Sequence, residues 1–360
     1  MKMRLLAFGI VSLTFLAGCA GPMTPFGSVS VFGERAEKEG DREIASELDL
    51  LSGPRVRFTP QRQVLHGKAP FTVVIEDPEG VPDDYRFRLT YNGIDISEKF
   101  LAKAERIYDP SRRQVKLTTK VLRIIADREN KIRASYWRSE DAKAVSARFL
   151  PPICSAFQTA QTIEDTPGFN APKRMLAFIN EHAIEKSLNP HFVAGLIAQE
   201  SAFDPRAISK NKALGLTQIT SLGEAELLKT PVGNWPRYPG LAEMPLPVLK
   251  MAIVNGEVNS KNEWRLDPAL SILGGVEYLT YLTGYWSRSD KRTLVEQTLG
   301  SSEATMGEVL LASYNSGAAR VSQAIERKGK AWLEDEELGE ARKYVKRVVS
   351  YCDYFSNEGD

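Results

Sequence analysis

The feature that most constrains the fold is an apolar helical stripe that ends in a carboxylate. Asn189 is a favourable helix N-cap, and Pro190 suits the first helical turn that follows it. Apolar residues then recur at helical spacing and predict a core-facing surface: Phe192, Val193, Leu196 and Ile197. Glu200 lies on the same face one turn later, and Asp204-Pro205 biases the chain out of the helix soon afterwards. The pattern predicts a helical domain with a partly buried carboxylate at the end of one helix.

Partial burial makes Glu200 a candidate general acid. Burial raises the pKa of a glutamate from about 4.3 toward neutrality, where the group can both donate and accept a proton. A glutamate that only marks the polar edge of an amphipathic helix is the commoner case. The residues around Glu200 decide between these two interpretations.

Four ordered segments surround this glutamate. They are ESAFDPRAISKNKALGLTQIT (200–220), the stretch from Asp267 to Leu279, LLASYNSGAARV (310–321) and EARKYVKRVVSY (340–351). Together they resemble the lytic transglycosylases that have a soluble-lytic-transglycosylase, goose-lysozyme-like catalytic domain. The resemblance covers about residues 154 to 354 and implies a mainly α, lysozyme-like fold for that part of the chain.

The resemblance also implies a reaction with one acid/base. Glu200 would protonate the glycosidic oxygen between MurNAc and GlcNAc, the substrate N-acetyl group would stabilise C1, and Glu200 would then deprotonate the sugar's 6-hydroxyl. The product is a 1,6-anhydro sugar, and no cofactor is required. Glycosidases ordinarily use a second carboxylate. Asp204 and Asp267 do not supply it, because Asp204 is predicted to initiate a turn and Asp267 to cap a helix.

Supporting roles follow from the resemblance at the matching positions. Tyr344 would orient or acidify Glu200, and Ser209 would hydrogen-bond near the substrate N-acetyl group. The other candidates for glycan binding are Gln218, Tyr314 and Asn315. Structural alternatives stay open, because Ser209 can stabilise a turn and the two tyrosines can be core aromatics with a satisfied hydroxyl.

Four positions depart from the family's pattern. Lys212 stands where Gly is common, Thr217 where Met is common, Ser271 where Asn is usual and Ala341 where Thr is frequent. The Met of the family contributes an apolar wall to the saccharide groove. Thr217 therefore leaves the details of glycan contact open and does not bear on the acid.

The first residues have the pattern of a lipoprotein signal peptide. Basic residues precede the apolar run Leu5 to Leu16, which is too short to span a bilayer. Leu16-Ala17-Gly18-Cys19 then resembles a bacterial lipobox, which implies cleavage before Cys19 and lipidation of its thiol. Ala20, rather than Asp, follows the cysteine, so the resemblance implies sorting to the periplasmic face of the outer membrane. An ordinary secretory signal with an incidental cysteine is the alternative.

Length and charge fit two globular domains after a tether. The 360 residues carry a net charge of +1, which argues against a nucleic-acid partner. The three histidines are dispersed and no metal site is expected. We predict four segments: a signal peptide (1–18), a tether (19–52), a β-sandwich module (53–150) and the catalytic domain (151–360).

The segment before Pro151-Pro152 has the composition of an all-β domain. Its strand-like runs are Arg55 to Phe58, Phe71 to Glu76, Tyr85 to Tyr91, Gln114 to Thr119 and Lys131 to Trp137. Turn signals such as Asn92-Gly93 separate them. These runs predict an N-terminal all-β immunoglobulin-like sandwich that lacks the Cys-Trp-Cys core.

The β module carries no catalytic constellation. Its basic residues include Arg86, Arg88, Arg112, Arg113 and Lys116. They form either a face for anionic peptidoglycan or, more commonly, solvated charges that protect sheet edges. We interpret the module as a spacer or an interaction module, with an envelope protein as the candidate partner.

Two features of the helical half stay open. The long segment from Thr230 to Arg265 contains Trp235 and Trp264, and it is either a lid with aromatic faces for sugar rings or a packed surface excursion. Cys154 and Cys352 are either a disulfide that closes the catalytic domain or two buried thiols. We expect the disulfide.

The sequence therefore predicts an outer-membrane lipoprotein that cleaves peptidoglycan glycan strands and binds the membrane through Cys19. Two alternatives remain. One is a goose-type muramidase, which hydrolyses the same bond and would use a second carboxylate. The other is a catalytically silent peptidoglycan-binding scaffold, which would not need the combination of Glu200, Gln218, Asn315 and Tyr344.

Overall fold

The computed structural model describes residues 53–63, 70–111, 113–120, 130–157, 161–229 and 235–356. The predicted signal peptide (1–18), the lipid-bearing Cys19 and the tether (19–52) lie outside the described residues, as does Arg112. Residues Gly53–Asp360 cluster as one compact unit. Its first part is β-rich and the part after residue 150 is helical.

The described part of the β-rich region contains two antiparallel sheets. The strands are β1 (Arg55–Thr59), β2 (Phe71–Glu76), β3 (Arg86–Tyr91), β4 (Ile94–Asp95), β5 (Glu105–Asp109), β6 (Gln114–Thr119), β7 (Ile132–Trp137) and β8 (Val145–Arg148). One sheet has the order β1-β2-β6-β5 and the other β4-β3-β7-β8. A short helix, α1 (Ser97–Leu101), follows β4.

The two sheets share one apolar core. Val73 and Leu117 contribute from the first sheet, and Leu89 and Ala134 from the second. Residues on the opposite faces, such as Lys116 and Arg133, are more exposed, whereas Val73, Val74 and Ile75 of β2 are all buried. Asn92-Gly93 forms the predicted turn, with both residues at positive φ, 50° and 83°.

The helical region is built around one buried helix. Its helices are α2 (Lys173–Glu185), α3 (Pro190–Ser201), α4 (Ser221–Leu227), α5 (Leu246–Val254), α6 (Pro268–Trp286), α7 (Ser289–Thr298), α8 (Glu303–Ser316), α9 (Ala318–Lys328) and α10 (Gly339–Ser356). Helix α3 is buried along nearly its whole length and packs most extensively against α10. As predicted, Asn189 caps α3, because its side chain accepts a hydrogen bond from the backbone N of His191 at 2.9 Å.

The close approach of α3 and α10 depends on Gly195. A Cβ at this position would lie 2.9 Å from both the backbone O of Val348 and the backbone N of Cys352. Cys352 is also joined to Cys154 by a disulfide, with 5.8 Å between the Cα atoms. Helix α10 is therefore held both by α3 and by the segment that enters the helical region.

Helix α10 also contacts the β-rich region. The Ser350 hydroxyl donates to the backbone O of Gln63 at 3.1 Å, and Arg62 pairs with the buried Asp353 at 3.7 Å. These contacts tie the loop after β1 to the last helix. Among the described residues, none of the helices combines the length and the apolar character that crossing a bilayer requires.

Candidate active site

Glu200 occupies the last turn of α3, where the helix ends abruptly. Ala202 and Phe203 both adopt left-handed backbone conformations, with φ of 51° and 63°. Phe203 is buried, and its ring contacts those of Phe169 and Phe355 at centroid distances of 5.6 and 6.4 Å. Non-glycine residues hold such conformations only when their surroundings impose them. The aromatic cluster thus fixes the turn that follows the carboxylate.

Tyr344 of α10 reaches the carboxylate directly. Its hydroxyl donates a hydrogen bond to Oε1 of Glu200 at 2.7 Å. Burial, and next the Glu200 carboxylate, raise the pKa of Tyr344 well above its usual value. Tyr344 therefore stays protonated and remains a donor to Glu200 throughout the physiological pH range.

Two opposing influences set the acidity of Glu200. Burial raises the pKa of Glu200 to about 7, and the hydrogen bond from Tyr344 acts in the opposite direction. The residue as a whole is only partly buried. A carboxyl group with this pKa populates both protonation states near neutral pH and can serve as acid and base.

Tyr314 of α8 supports the loop beside the carboxylate. Its hydroxyl donates to the backbone O of Thr217 at 2.7 Å, and its ring meets that of Tyr278 edge-on at 5.3 Å. Burial raises the pKa of Tyr314 well above its usual value, with a further contribution from the charge of Glu200. Tyr314 is thus close to the acid, with its hydroxyl bonded to the protein. Sequence reasoning gave Tyr278 no role, although it lies within the second motif.

The side chains of Gln218 and Ser209 hold the loop that follows α3. Nε2 of Gln218 donates to the backbone O of Ala207 at 3.1 Å and of Gly215 at 2.8 Å. Oγ of Ser209 accepts from the backbone N of Ala213 at 2.9 Å. The turn-stabilising contact that the sequence left open for Ser209 is therefore present. Both side chains therefore stabilise the loop itself, and a contact with glycan would come in addition to this role.

Two departures from the family's pattern lie against each other. The hydroxyl of Thr217 donates to the backbone O of Ser271 at 2.8 Å and lies 3.3 Å from its Oγ. Thr217 is only 1% exposed and packs beneath Gly275, where a Cβ would approach its methyl group to 2.5 Å. The Thr217 side chain is therefore buried between the loop and α6.

Lys212 illustrates why glycine is common at its position. Its φ is 60°, a left-handed conformation that glycine adopts without steric cost. Here Nζ of Lys212 donates to the backbone O of Ala242 at 2.6 Å, within the long segment before Arg265. The lysine therefore joins the loop after α3 to that segment.

Asn315 and the long segment have contrasting exposure. Asn315 is exposed near the end of α8 and can face a ligand. Trp264, in contrast, is buried, and its Nε1 donates to Glu224 at 3.1 Å. Trp235 packs edge-on against Trp264 at 4.8 Å. Trp264 is therefore part of a packed surface excursion and does not offer a face to sugar rings.

The two aspartates considered as second carboxylates are structural. Oδ1 of Asp204 accepts from the backbone N of Arg206 at 2.9 Å, and Oδ1 of Asp267 caps α6 through the backbone N of Leu270 at 3.0 Å. In the described part of the chain, burial and Tyr344 are the influences that act on the pKa of Glu200. The same part contains no group of three or more His, Cys, Asp or Glu side chains arranged for a metal ion.

Comparisons with known proteins find one family model and two solved structures that are similar to this chain. Residues 177–237 match the family model of the transglycosylase SLT domain, a segment that includes Glu200 and the loop after it. Lytic transglycosylase Slt from Pseudomonas aeruginosa is similar over 51% of this chain and 24% of its own, with 22% identity and a TM-score of 0.31. The 70 kDa soluble lytic transglycosylase from Escherichia coli has 21% identity, the same coverages and a TM-score of 0.33.

This chain spans about a quarter of the length of those two solved structures. No curated protein matches it. The segment that matches the transglycosylase SLT domain model lies in the helical region, which is called the enzyme domain below.

Proposed function

We propose that the protein is a peptidoglycan lytic transglycosylase that cleaves the β-1,4 bond between MurNAc and GlcNAc. The observation that carries the proposal is the Tyr344 hydroxyl at 2.7 Å from a carboxylate whose burial raises its pKa to about 7. Glu200 lies within residues 177–237, the segment that matches the SLT domain model, and this match supports the proposal. A group poised in this way can give a proton and take one back within a single turnover.

The proposed reaction needs one carboxyl group. Protonated Glu200 gives its proton to the glycosidic oxygen as the bond from that oxygen to C1 of MurNAc breaks. The carbonyl oxygen of the substrate N-acetyl group stabilises C1, and the Glu200 carboxylate takes the proton of the 6-hydroxyl. O6 then bonds to C1 and forms the 1,6-anhydro end, which returns Glu200 to its protonated state.

Tyr344 is proposed to act on the charged form of Glu200. Its hydrogen bond favours the carboxylate that exists between the two proton transfers, because a donor stabilises a carboxylate more than a neutral acid. Asn315 and the rim of the loop held by Gln218 are proposed to face the glycan strand. Ser209 is proposed to lie near the substrate N-acetyl group.

Mass spectrometry of the products from purified sacculi tests the proposal. We expect 1,6-anhydro-MurNAc ends. Reducing ends would identify a muramidase, and intact sacculi would leave the peptidoglycan-binding scaffold as the remaining alternative. The Glu200→Gln variant is the control for a contaminating hydrolase.

Lipid anchoring is a separate proposal based on the first residues. We propose that Cys19 is lipidated and holds the protein at the periplasmic face of the outer membrane, because a lipobox-like tetrad precedes it. Labelled palmitate should be incorporated into the parent protein and lost in Cys19→Ser. Incorporation that survives the substitution would disprove this assignment.

The β-rich region is proposed to be an immunoglobulin-like sandwich that spaces or docks the enzyme domain. The two four-stranded antiparallel sheets over one shared core support this proposal. An envelope protein is the proposed partner of its outer surface.

A further inference from the structure

A cleft of about 820 Å³ lies between the β-rich region and the enzyme domain. Strands β7 and β8 form one wall, and helices α8 and α10 form the other. On α10, Lys346 lines the cleft, whereas Tyr344 bonds to Glu200. Side chains two residues apart on a helix point to nearly opposite sides, at about 100° per residue. The cleft is therefore a separate site from the pair formed by Glu200 and Tyr344.

The sheet wall places two arginines side by side without a counter-charge. Arg133 of β7 and Arg148 of β8 are direct cross-strand partners, and both are exposed in the cleft. Like charges directly opposite each other destabilise a sheet. Within the described part of the chain, neither guanidinium has an ion-pair partner or a hydrogen-bond acceptor. An anionic ligand would relieve their repulsion.

The helix wall adds aliphatic surface and little net charge. Leu333, which precedes α10, and Val349 of α10 are half-buried and line the cleft. Glu308 of α8 lines it as well; burial raises the pKa of Glu308, and the charge of Lys346 opposes that shift. Glu308 thus has a cation on its own wall and does not neutralise the arginines of the sheet. The cleft combines two adjacent positive charges on one side with aliphatic surface on the other.

Buried hydrogen bonds hold the two walls in place. The side chain of Gln63 is 7% exposed, and its Nε2 donates to the backbone O of Asn130 at 2.6 Å and of Phe149 at 3.3 Å. The backbone O of Gln63 in turn accepts from Ser350 of α10 at 3.1 Å. One residue thus connects both walls, so the cleft is formed before a ligand arrives. Preorganisation of this kind lowers the entropic cost of binding.

An extended peptide segment fits this division between charge and apolar surface. Successive side chains of such a segment point to opposite sides, and every second residue lies about 7 Å further along. Acidic residues at alternate positions would face Arg133 and Arg148, while the aliphatic residues between them would face Leu333 and Val349. A bilayer surface is too flat to enter the cleft, and the net charge of +1 argues against nucleic acid.

We infer that this cleft docks an extended segment of a partner protein in which acidic and aliphatic residues alternate. Charge complementarity supports this occupant, because two adjacent cations without a counter-charge on a preformed wall select carboxylates. The inference goes beyond the proposed reaction. It gives the proposed docking role of the β-rich region a surface and a partner chemistry.

Fluorescence anisotropy with a labelled synthetic peptide, Gly-Ser-Glu-Val-Glu-Leu-Glu-Ser-Gly, tests the binding at physiological ionic strength. We expect Arg133→Gln/Arg148→Gln to weaken the affinity roughly tenfold, because it removes two charge-assisted contacts. The matched control is Arg86→Gln/Arg88→Gln. It removes the same charge from the same sheet, where Arg86 and Arg88 pair with Glu140 and Asp95. The control should bind like the parent protein.

Two altered peptides test the proposed pattern. One has glutamine in place of each glutamate, and the other has serine in place of valine and leucine; both should bind more weakly than the first peptide. Equal affinity of the three proteins for the first peptide would overturn the inference. Unchanged binding of the serine peptide would also overturn it, because the cleft would then be a general anion site. Binding of phosphatidylglycerol vesicles that depends on both arginines would identify a membrane contact instead.

Photo-crosslinking of the full-length protein in cells tests the docking itself. Thr90 of β3 lies opposite Arg133 and lines the cleft, so a photo-reactive residue in its place should link to the docked segment. Mass spectrometry should find alternating acidic and aliphatic residues in the linked peptide, and the link should be lost in Arg133→Gln/Arg148→Gln. A linked segment without acidic residues would disprove the inference.

Sacculus cleavage separates this inference from the proposed function. The purified Arg133→Gln/Arg148→Gln variant should cleave like the parent protein, because the cleft lies apart from Glu200 and Tyr344. A loss of cleavage in a variant with an unchanged Tm would show that the cleft serves the glycan substrate, and the inference would be wrong. If the parent protein cleaves nothing, the proposed function fails, and anisotropy still decides whether the cleft binds the peptide.

Discussion

Glu200 and Tyr344 show how far a sequence can define an active site at the scale of single residues. The position of Glu200 follows from helical periodicity, because an apolar stripe and a helix stop place it at a buried end. Its contact with Tyr344 spans 144 positions, and periodicity gives no information about such a pair. The family resemblance supplied Tyr344. The burial of Thr217 could not be predicted, because it depends on the approach of Ser271 from α6.

Glu200→Gln should abolish activity and alter the dependence of stability on pH. The substitution keeps the size of the side chain and removes its titratable proton, so sacculus cleavage should fall at least about a hundredfold. In the parent protein the folded pKa of about 7 exceeds the ordinary value of 4.5. The folded state therefore binds its proton more tightly, and stability is lost as the pH rises between these values.

The Glu200→Gln variant has no titrating group at this position, so it should not lose stability as the pH rises. It should have the same Tm as the parent near pH 4. At pH 8 its Tm should be higher, and its free energy of unfolding should exceed that of the parent by up to about 3 kcal/mol. Thermal unfolding across this range is the measurement. A Tm difference that does not change with pH would show that the carboxyl group is not buried as described.

Tyr344→Phe should shift the pH profile of cleavage. The lost hydrogen bond stabilises the Glu200 carboxylate, so the pKa of Glu200 should rise above about 7. Because the first step needs protonated Glu200, the alkaline limb of kcat/KM should move to higher pH while kcat falls. A downward shift of that limb would contradict the assigned role of Tyr344.

At the scale of elements, sequence patterns predicted the strands that have a buried face and missed those that lack one. Strands β1, β2, β3, β6 and β7 were predicted, because their alternation or β-branched content reflects burial. Strand β5 is exposed along nearly its whole length, and β8 is built of small and polar residues with one valine. Their pairing is set by neighbouring strands, so their own residues carry little signal.

Gly195→Ala should test the contact between α3 and α10. The added Cβ would lie 2.9 Å from two backbone atoms of α10, which cannot move as a flexible side chain can. We expect a loss of about 1–3 kcal/mol in unfolding free energy and reduced cleavage, because the helices that carry Glu200 and Tyr344 separate.

Gly284→Ala is the matched control for this substitution. Gly284 lies on α6, and nothing stands within 4 Å of a Cβ there. Its replacement should leave stability unchanged or raise it by up to about 1 kcal/mol. Equal effects of the two substitutions in thermal unfolding would show that the proximity of α3 and α10 does not depend on Gly195.

At the scale of the whole molecule, α10 links parts of the chain that are distant in sequence. It supplies Tyr344 to the candidate active site, Ser350 to the contact with Gln63 and Asp353 to the ion pair with Arg62. Sequence analysis placed a boundary at Pro151-Pro152, but it gave no indication of contacts across this boundary. Such contacts depend on single polar residues, and no periodic pattern identifies them.

The disulfide between Cys154 and Cys352 should stabilise the enzyme domain without taking part in the reaction. It closes a loop with a sequence separation of 198, for which the chain-entropy model gives about 5 kcal/mol. A Cys154→Ser/Cys352→Ser variant should therefore have a lower Tm. Its cleavage activity should persist at low temperature, because Gly195 and Phe203 still position α10 and the turn after Glu200. Alkylation of the unfolded, unreduced parent protein, followed by peptide mapping, checks the bond itself. Both cysteines should be protected until reductant is added, and labelling of both beforehand would show that the domain is held by packing alone.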